Sequence, residues 1–447
     1  MLVSRASRAA IAAASAALLL ATSACGSAQP EEADTDTQVR LYGTDGNMAN
    51  SFAEKLEDRA SLVNGMKGTM PMTPLQESFK ERLRSVDPKL EDYTYAGETY
   101  DAVVISALAA QLAGTTEPAA IAKQIVGVTT DGERCEDAAT CLQLARQGRD
   151  IEYRGVSVTR SGFTDAGEPS SASYATVHFD HEKLDDGKTE FVGAGEESAA
   201  STETPPPAKK QRAGDKAPDA PLVLGGLLPM TGDLALLYPS MGAAAALAIK
   251  EINAAGGVLG KPAAWIEGDD GTNPAVAKAT VAAHVRKGVH VIIGAGASGV
   301  TRAVLPDVVA AGRVLFSPSN TDAGLSTVDD KGLYFRTAPP DTLQGRALAD
   351  VIVRDGPRKI AIVARKDSYG EGLQENVRAE LERVGIGADR VKLLTYEPPA
   401  DPETPVDFSA GAKEIKDYGA DAVLIIGFAE SAHVITALAD GGAQIRQ

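Results

Sequence analysis

Histidine and cysteine are scarce in this 447-residue chain, which holds five and three. His178, His181, His284, His290 and His433 are scattered without metal-ligand spacing, so no metal site is expected. A serine-hydrolase elbow is missing too, because Val300 stands where Ser298 would need the last glycine of G-x-S-x-G. No cation-coordinating Asp/Asn loop stands out, and no catalytic set or cofactor is expected. Positive charge is in deficit: the net charge of −17 argues against a nucleic-acid partner, which calls for a basic face.

What the chain does have is the composition of a folded soluble protein, 44% hydrophobic and 23% charged. Its length suffices for two or three lobes with sizeable cores. The N-terminus carries Arg5 and Arg8, then an apolar stretch from Ala9 to Ala21 too short to span a bilayer as a mature helix. Ala21-Thr22-Ser23-Ala24-Cys25-Gly26 resembles a bacterial lipobox, with Thr22 where leucine is usual. On that reading 1–25 is a signal peptide, Cys25 is lipidated, and 26–38 is a tether on the outer face of the membrane. The alternative is an ordinary secretory signal cut at an A-x-A-like site, and either implies export. In an exported protein, Cys135 and Cys141 read as a local disulfide, with two free thiols as the alternative.

From Pro221 onward, strands and helices alternate. Apolar runs at 222–228, 263–267, 289–293, 359–363, 391–396 and 422–426 predict buried strands. Helical patterns lie at 243–253, 274–286, from about 300, 372–384 and 408–418. Residues 39–185 continue in this style, with a strand start at 40–42, helical stretches at 95–112, 119–126 and 141–147, and a closing strand at 173–179. The expected class is α/β: parallel sheets covered by helices on both faces. Between the segments, 186–220 is rich in Gly, Glu, Ser and Pro, cannot bury a core, and reads as a disordered linker.

Gly294-Ala295-Gly296-Ala297-Ser298-Gly299 fits the dinucleotide fingerprint, with Asp322 near the distance of a ribose-binding acid. It follows the third strand of its segment, however, and Pro318 interrupts the path to Asp322. A helix N-terminus able to hold an anion survives that objection. Phe316-Ser317-Pro318-Ser319-Asn320-Thr321 forms a second such turn. Together they could seat one carboxylate, or could simply be helix caps.

Several strings are similar to the type 1 periplasmic-binding-protein family, in particular the branched-chain amino-acid (Leu/Ile/Val) substrate-binding proteins of ABC importers. They are Met230-Thr231-Gly232, Glu251-Ile252-Asn253-Ala254-Ala255-Gly256-Gly257, Ser317-Pro318, Tyr369-Gly370-Glu371-Gly372 and Gly427-Phe428. At the other end of the chain stand Tyr42-Gly43-Thr44-Asp45-Gly46, Tyr100-Asp101-Ala102 and Ile151-Glu152-Tyr153-Arg154-Gly155. Segment 221–447 resembles the front of such a domain and 39–185 its end, which points to circular permutation. The resemblance implies two doubly wound lobes joined by a three-stranded hinge crossing near Met70, Ser170 and Ala338. Lobe 1 would comprise 71–170 and 221–338; lobe 2 would comprise 39–70, 171–185 and 339–447.

Carried onto this sequence, the resemblance places Ser298, Asn320 and Thr321 on a ligand carboxylate and Asp45 on its ammonium group. Tyr369 and Phe428 would be aromatic contacts, and Leu237 or Tyr238 a pocket wall. Asp45-Gly46 is also a common turn dipeptide, and Tyr369 or Phe428 could be plain core. The function implied is capture of a small ligand, foremost an amino acid, for an ABC permease. A sensory ectodomain, a binder of amides, urea or aromatic acids, and an exported nucleotide-using enzyme are the alternatives.

Overall fold

The computed structural model describes residues 38–210, 220–399 and 404–446. The expected signal peptide 1–25, its Cys25 and the tether up to residue 37 lie outside them.

The smaller of two large sheets has five strands, all parallel, in the order Tyr334–Arg336, Val314–Ser317, Val291–Gly294, Val223–Leu227, Ala264–Ile266. Val291–Gly294 and Val314–Ser317 are buried throughout, as a sheet covered on both faces requires. Much of that cover comes from the other half of the chain. The helix Ala96–Ala113 is apolar on nearly every side, and all eighteen of its residues are buried. It packs against the helix Tyr238–Ala254. One core therefore mixes Val103, Leu108 and Leu142 with Leu224, Ile293 and Phe316.

The larger sheet runs Val391–Tyr396, Ile360–Arg365, Ala422–Ile426, Gln38–Thr44, Lys67–Pro71, and these five are parallel. Ser171–Asp180 then pairs antiparallel with Lys67–Pro71. The central pairing, Leu41 opposite Val423 and Tyr42 opposite Leu424, joins the two ends of the chain. Gln444–Ile445 also lies alongside Gln38–Val39, and the Arg446 N–H donates to the Val39 carbonyl (2.8 Å). The two ends thus carry near-identical triplets, Gln-Ile-Arg and Gln-Val-Arg, side by side.

The expected strands and helices are found within a few residues of their predicted bounds. The Cys135–Cys141 disulfide is formed, with the Cα atoms 5.4 Å apart. Three connections leave one sheet region for the other, after Pro71, before Ser171 and after Arg336.

The disordered linker expected over 186–220 needs correction for its described part up to residue 210. Glu190–Gly195 forms a strand antiparallel to Ser171–Thr176, six residue pairs long. The chain then runs on as a strap: the Ser201 N–H donates to Phe163 O (2.7 Å), Gln124 Nε2 to Pro206 O (2.9 Å), and the Lys209 N–H to Leu112 O (2.9 Å). Composition misled because no core is needed for this order. An edge strand offers a row of unpaired backbone groups, and the strap satisfies part of that row. Phe191 and Val192 remain exposed, so the segment indeed buries little.

Candidate functional site

Asp45 follows the strand Gln38–Thr44 in a tight turn, which Asn47 fastens by accepting the Thr44 N–H (2.8 Å) and donating to Ile425 O (3.0 Å). Gly46 must be glycine here. A Cβ would stand 2.5 Å from Gly427 O and 2.6 Å from the Phe428 ring. The Asp45-Gly46 turn is thereby pressed against Gly427-Phe428 at the end of Ala422–Ile426.

The Asp45 carboxylate is buried and takes hydrogen bonds from three side chains. Tyr95 reaches Oδ2 (2.8 Å), while Gln344 (2.8 Å) and Tyr369 (3.0 Å) reach Oδ1. Burial pushes its pKa up, and those donors act in the opposite direction. Tyr95 comes from the helix over the smaller sheet, where it opens that helix in a left-handed backbone conformation (φ 58°). One acid of the larger sheet is thus held from both sides of the cleft.

Next to it stands an acid that sequence reasoning missed. Asp341 begins the helix Asp341–Arg354, which also carries Gln344, and is fully buried. Its N–H donates to Thr321 O (2.7 Å), but neither carboxylate oxygen has a partner at hydrogen-bonding geometry. The Thr321 hydroxyl and Gln344 Oε1 are likewise buried and unpartnered. Burial first, and then the Asp45 charge, push the Asp341 carboxyl well above the ordinary range; Thr321 and Arg336 oppose this only in part. Buried polar groups left without a partner are costly in a folded protein, and each asks for an explanation. The only sequence signal was a helix start after Pro339-Pro340, which gave no hint of a site.

Across from these groups the helix Ser298–Ala310 begins. Ser298 Oγ accepts the N–H groups of Thr321 (3.2 Å) and Asp322 (3.3 Å), so the two predicted turns do meet. Asn320 departs from its expected role. Its amide donates to Ala295 O (3.1 Å) and Gly296 O (3.0 Å) and accepts from the Tyr334 hydroxyl (3.2 Å), leaving nothing for a ligand. Its side chain is a brace between the turns.

Tyr369 and Phe428 stack, with ring centroids 5.4 Å apart, and the Arg365 guanidinium lies 3.8 Å over the Phe428 ring. Arg365 also pairs with Glu430 (2.7 Å) and Asp367 (2.6 Å). Leu237 is buried in the core shared with Tyr369 and Phe428. Tyr238 instead lies against Gly242 with its hydroxyl toward Glu267, away from the groups around Asp45. The glycine-rich turn is sealed from below, since the Gly296 N–H donates to buried Asp270 (2.6 Å), whose pKa burial pushes up to about 7. A second anion such as a pyrophosphate is disfavoured beside that carboxylate.

A family model described as periplasmic binding protein matches residues 221–447. A Leu/Ile/Val-binding protein homolog of Brucella melitensis is 28% identical over 229 residues, 50% of this chain and 60% of the relative. An amino acid binding protein of Pseudomonas aeruginosa is 32% identical over 209 residues, 46% of this chain and 53% of that protein. The chain thus spans a little over half the length of these relatives. Among solved structures, a branched-chain amino acid transporter substrate-binding protein from Streptococcus pneumoniae, in complex with isoleucine, aligns with a TM-score of 0.43 at 24% identity. It covers 51% of this chain and 63% of that one.

Proposed function

The chain belongs to the periplasmic-binding-protein family, and we propose that it captures an amino acid between its two sheets for delivery to an ABC permease. The observation that carries this reading is the pair Asp45 and Asp341. Two buried carboxylates, one held by three donors and one without a partner at hydrogen-bonding geometry among the described residues, make an acceptor-rich seat for an ammonium group. The Ser298 hydroxyl and the N-terminal amides of its helix supply the opposite polarity for a carboxylate. A zwitterion matches both ends. Because Tyr95 and Asp45 come from different sides of the cleft, their hydrogen bond also marks the closed state.

The order of the segments belongs to this proposal. The larger sheet needs Gln38–Thr44 beside Ala422–Ile426, and the smaller one needs Ala96–Ala113 over strands from 223 onward. A circularly permuted domain, its former ends joined through 186–220, accounts for both. The signal segment with lipidated Cys25 would then hold the domain at the outer face of the membrane. Replacing Cys25 with serine should abolish incorporation of labelled palmitate.

Calorimetry with a panel of amino acids tests the core of the reading. An α-amino acid should bind, and Asp45→Asn should weaken it at least tenfold, because a charge-assisted hydrogen bond contributes roughly 1.5–3 kcal/mol. Unchanged affinity in Asp45→Asn would sink the assignment.

A further inference from the structure

Beyond the seat for the backbone of an amino acid, the cleft holds a second acidic place, and we propose that it receives a cationic group at the end of the ligand's side chain. A cavity of about 340 Å³ is lined by Asp233, Asn273, Ala297, Gly299, Arg365 and Asp367, among others. Ala297 and Gly299 are the neighbours of Ser298. The cavity thus lies beside the carboxylate seat at Ser298, and the ligand's side chain is assigned to it. The inference rests on the amino-acid reading given above.

Asp233 is the group that points to the ligand's chemistry. It is only 8% exposed, and among the described residues its carboxylate makes no hydrogen bond and pairs only with Arg365, at 3.9 Å. Arg365 is already engaged at shorter range by Glu430 and Asp367. Three carboxylates thus surround one guanidinium, and Asp233, the most distant of them, adds to the excess of negative charge. The backbone around it is fixed, since its carbonyl accepts the Ala429 N–H (3.1 Å) from the far side of the cleft. Burial and the Glu430 charge push the Asp233 carboxyl up to about 6, with Arg365 and Lys55 acting against them. A carboxylate in that condition gains most from a ligand cation, and an apolar side chain gains nothing from it.

The class of ligand singled out is an amino acid with a basic side chain, in contrast to the branched-chain names carried by several relatives. Lysine and norleucine separate the cases, because they share an α-amino acid core and a four-carbon stem. Calorimetry on the full chain at pH 7.5 is expected to give at least tenfold tighter binding of lysine, with the ratio collapsing toward one in Asp233→Asn. Equal or tighter binding of norleucine by the unaltered protein overturns the subsite and leaves the amino-acid reading standing. A lysine preference that survives in Asp233→Asn overturns it as well. Binding of no α-amino acid at all refutes the reading of the whole cleft, and the subsite with it.

Discussion

Replacing Asp341 with asparagine separates a ligand-gripping acid from a structural one. Asparagine has the same shape, so the start of the helix Asp341–Arg354 and the bond from its N–H to Thr321 O are retained. Among the described residues neither Asp341 oxygen has a partner at hydrogen-bonding geometry, and burial and the Asp45 charge both disfavour its ionised form, so the unliganded protein should lose little when its acid is removed. Its melting temperature should hold or rise. Ligand affinity should move the other way. A charge-assisted hydrogen bond from an ammonium contributes roughly 1.5–3 kcal/mol, which is about a 10- to 150-fold loss in affinity.

Proton release gives this experiment a second readout. Burial and the neighbouring Asp45 hold the Asp341 carboxyl well above its ordinary range, and a bound ammonium favours its ionised form. Binding by the unaltered protein should therefore release protons, and affinity should increase with pH until the free carboxyl is ionised. Calorimetry in two buffers of different ionisation enthalpy counts those protons, and the count should fall in Asp341→Asn. A lower melting temperature with unchanged affinity and proton release would show that Asp341 is an anchor of the fold and no part of the site.

Two other expectations can be checked together with these. Burial pushes Glu98 up to about 8 and Asp270 up to about 7, whereas in an unfolded chain they ionise near roughly 4. Between those values the folded state holds more protons, so stability falls as pH rises. The ligand-free melting temperature should drop between pH 7 and 8.5, and Glu98→Gln should flatten the slope; a rise over this window contradicts the assignment. His284 and His290, lowered by burial, oppose this only below roughly 6.5. The second concerns segment order: a chain that runs from 220 to Ala443, passes directly to Gln38 and ends at Lys210 should fold and bind the same amino acid. Loss of the cooperative thermal transition would count against permutation.

Periodicity made most of the framework legible. Continuous apolar runs such as Ile360–Arg365 and Ala422–Ile426 had nowhere to go but a sheet covered on both faces. Asp45, Ser298, Thr321, Tyr369 and Phe428 could be nominated from the sequence because each sits at a strand end or helix start marked by glycine, serine or proline. Asp341 and Gln344 were not, because their meaning depends on what fails to meet them. An acid at a helix start is an ordinary sight until its oxygens prove buried and unpartnered. Asn320 erred in the opposite way: its amide turns inward to backbone carbonyls, which no local pattern announces. The strap at 190–209 was missed because ladder bonds to an exposed edge depend on the partner strand, not on its own composition.

The order of the segments bears on folding and stability. Neither half can cover its own core. Residues 221–336 supply a five-stranded sheet, one face of which is closed by Ala96–Ala113, and Gln38–Thr44 finds its parallel neighbour Ala422–Ile426 near the other end of the chain. Folding must therefore wait for contacts across more than three hundred residues, such as Tyr42 opposite Leu424, and loop closure over that distance is slow and entropically costly. The strap shortens part of that search. By pairing with Ser171–Thr176 and then binding Phe163, Gln124 and Leu112, it leads the chain from the larger sheet to the helices of the smaller one before Val223–Leu227 begins. It is also a fourth crossing between the two sides of the cleft. Any movement of the two sheets relative to each other must bend it together with the three connections after Pro71, before Ser171 and after Arg336.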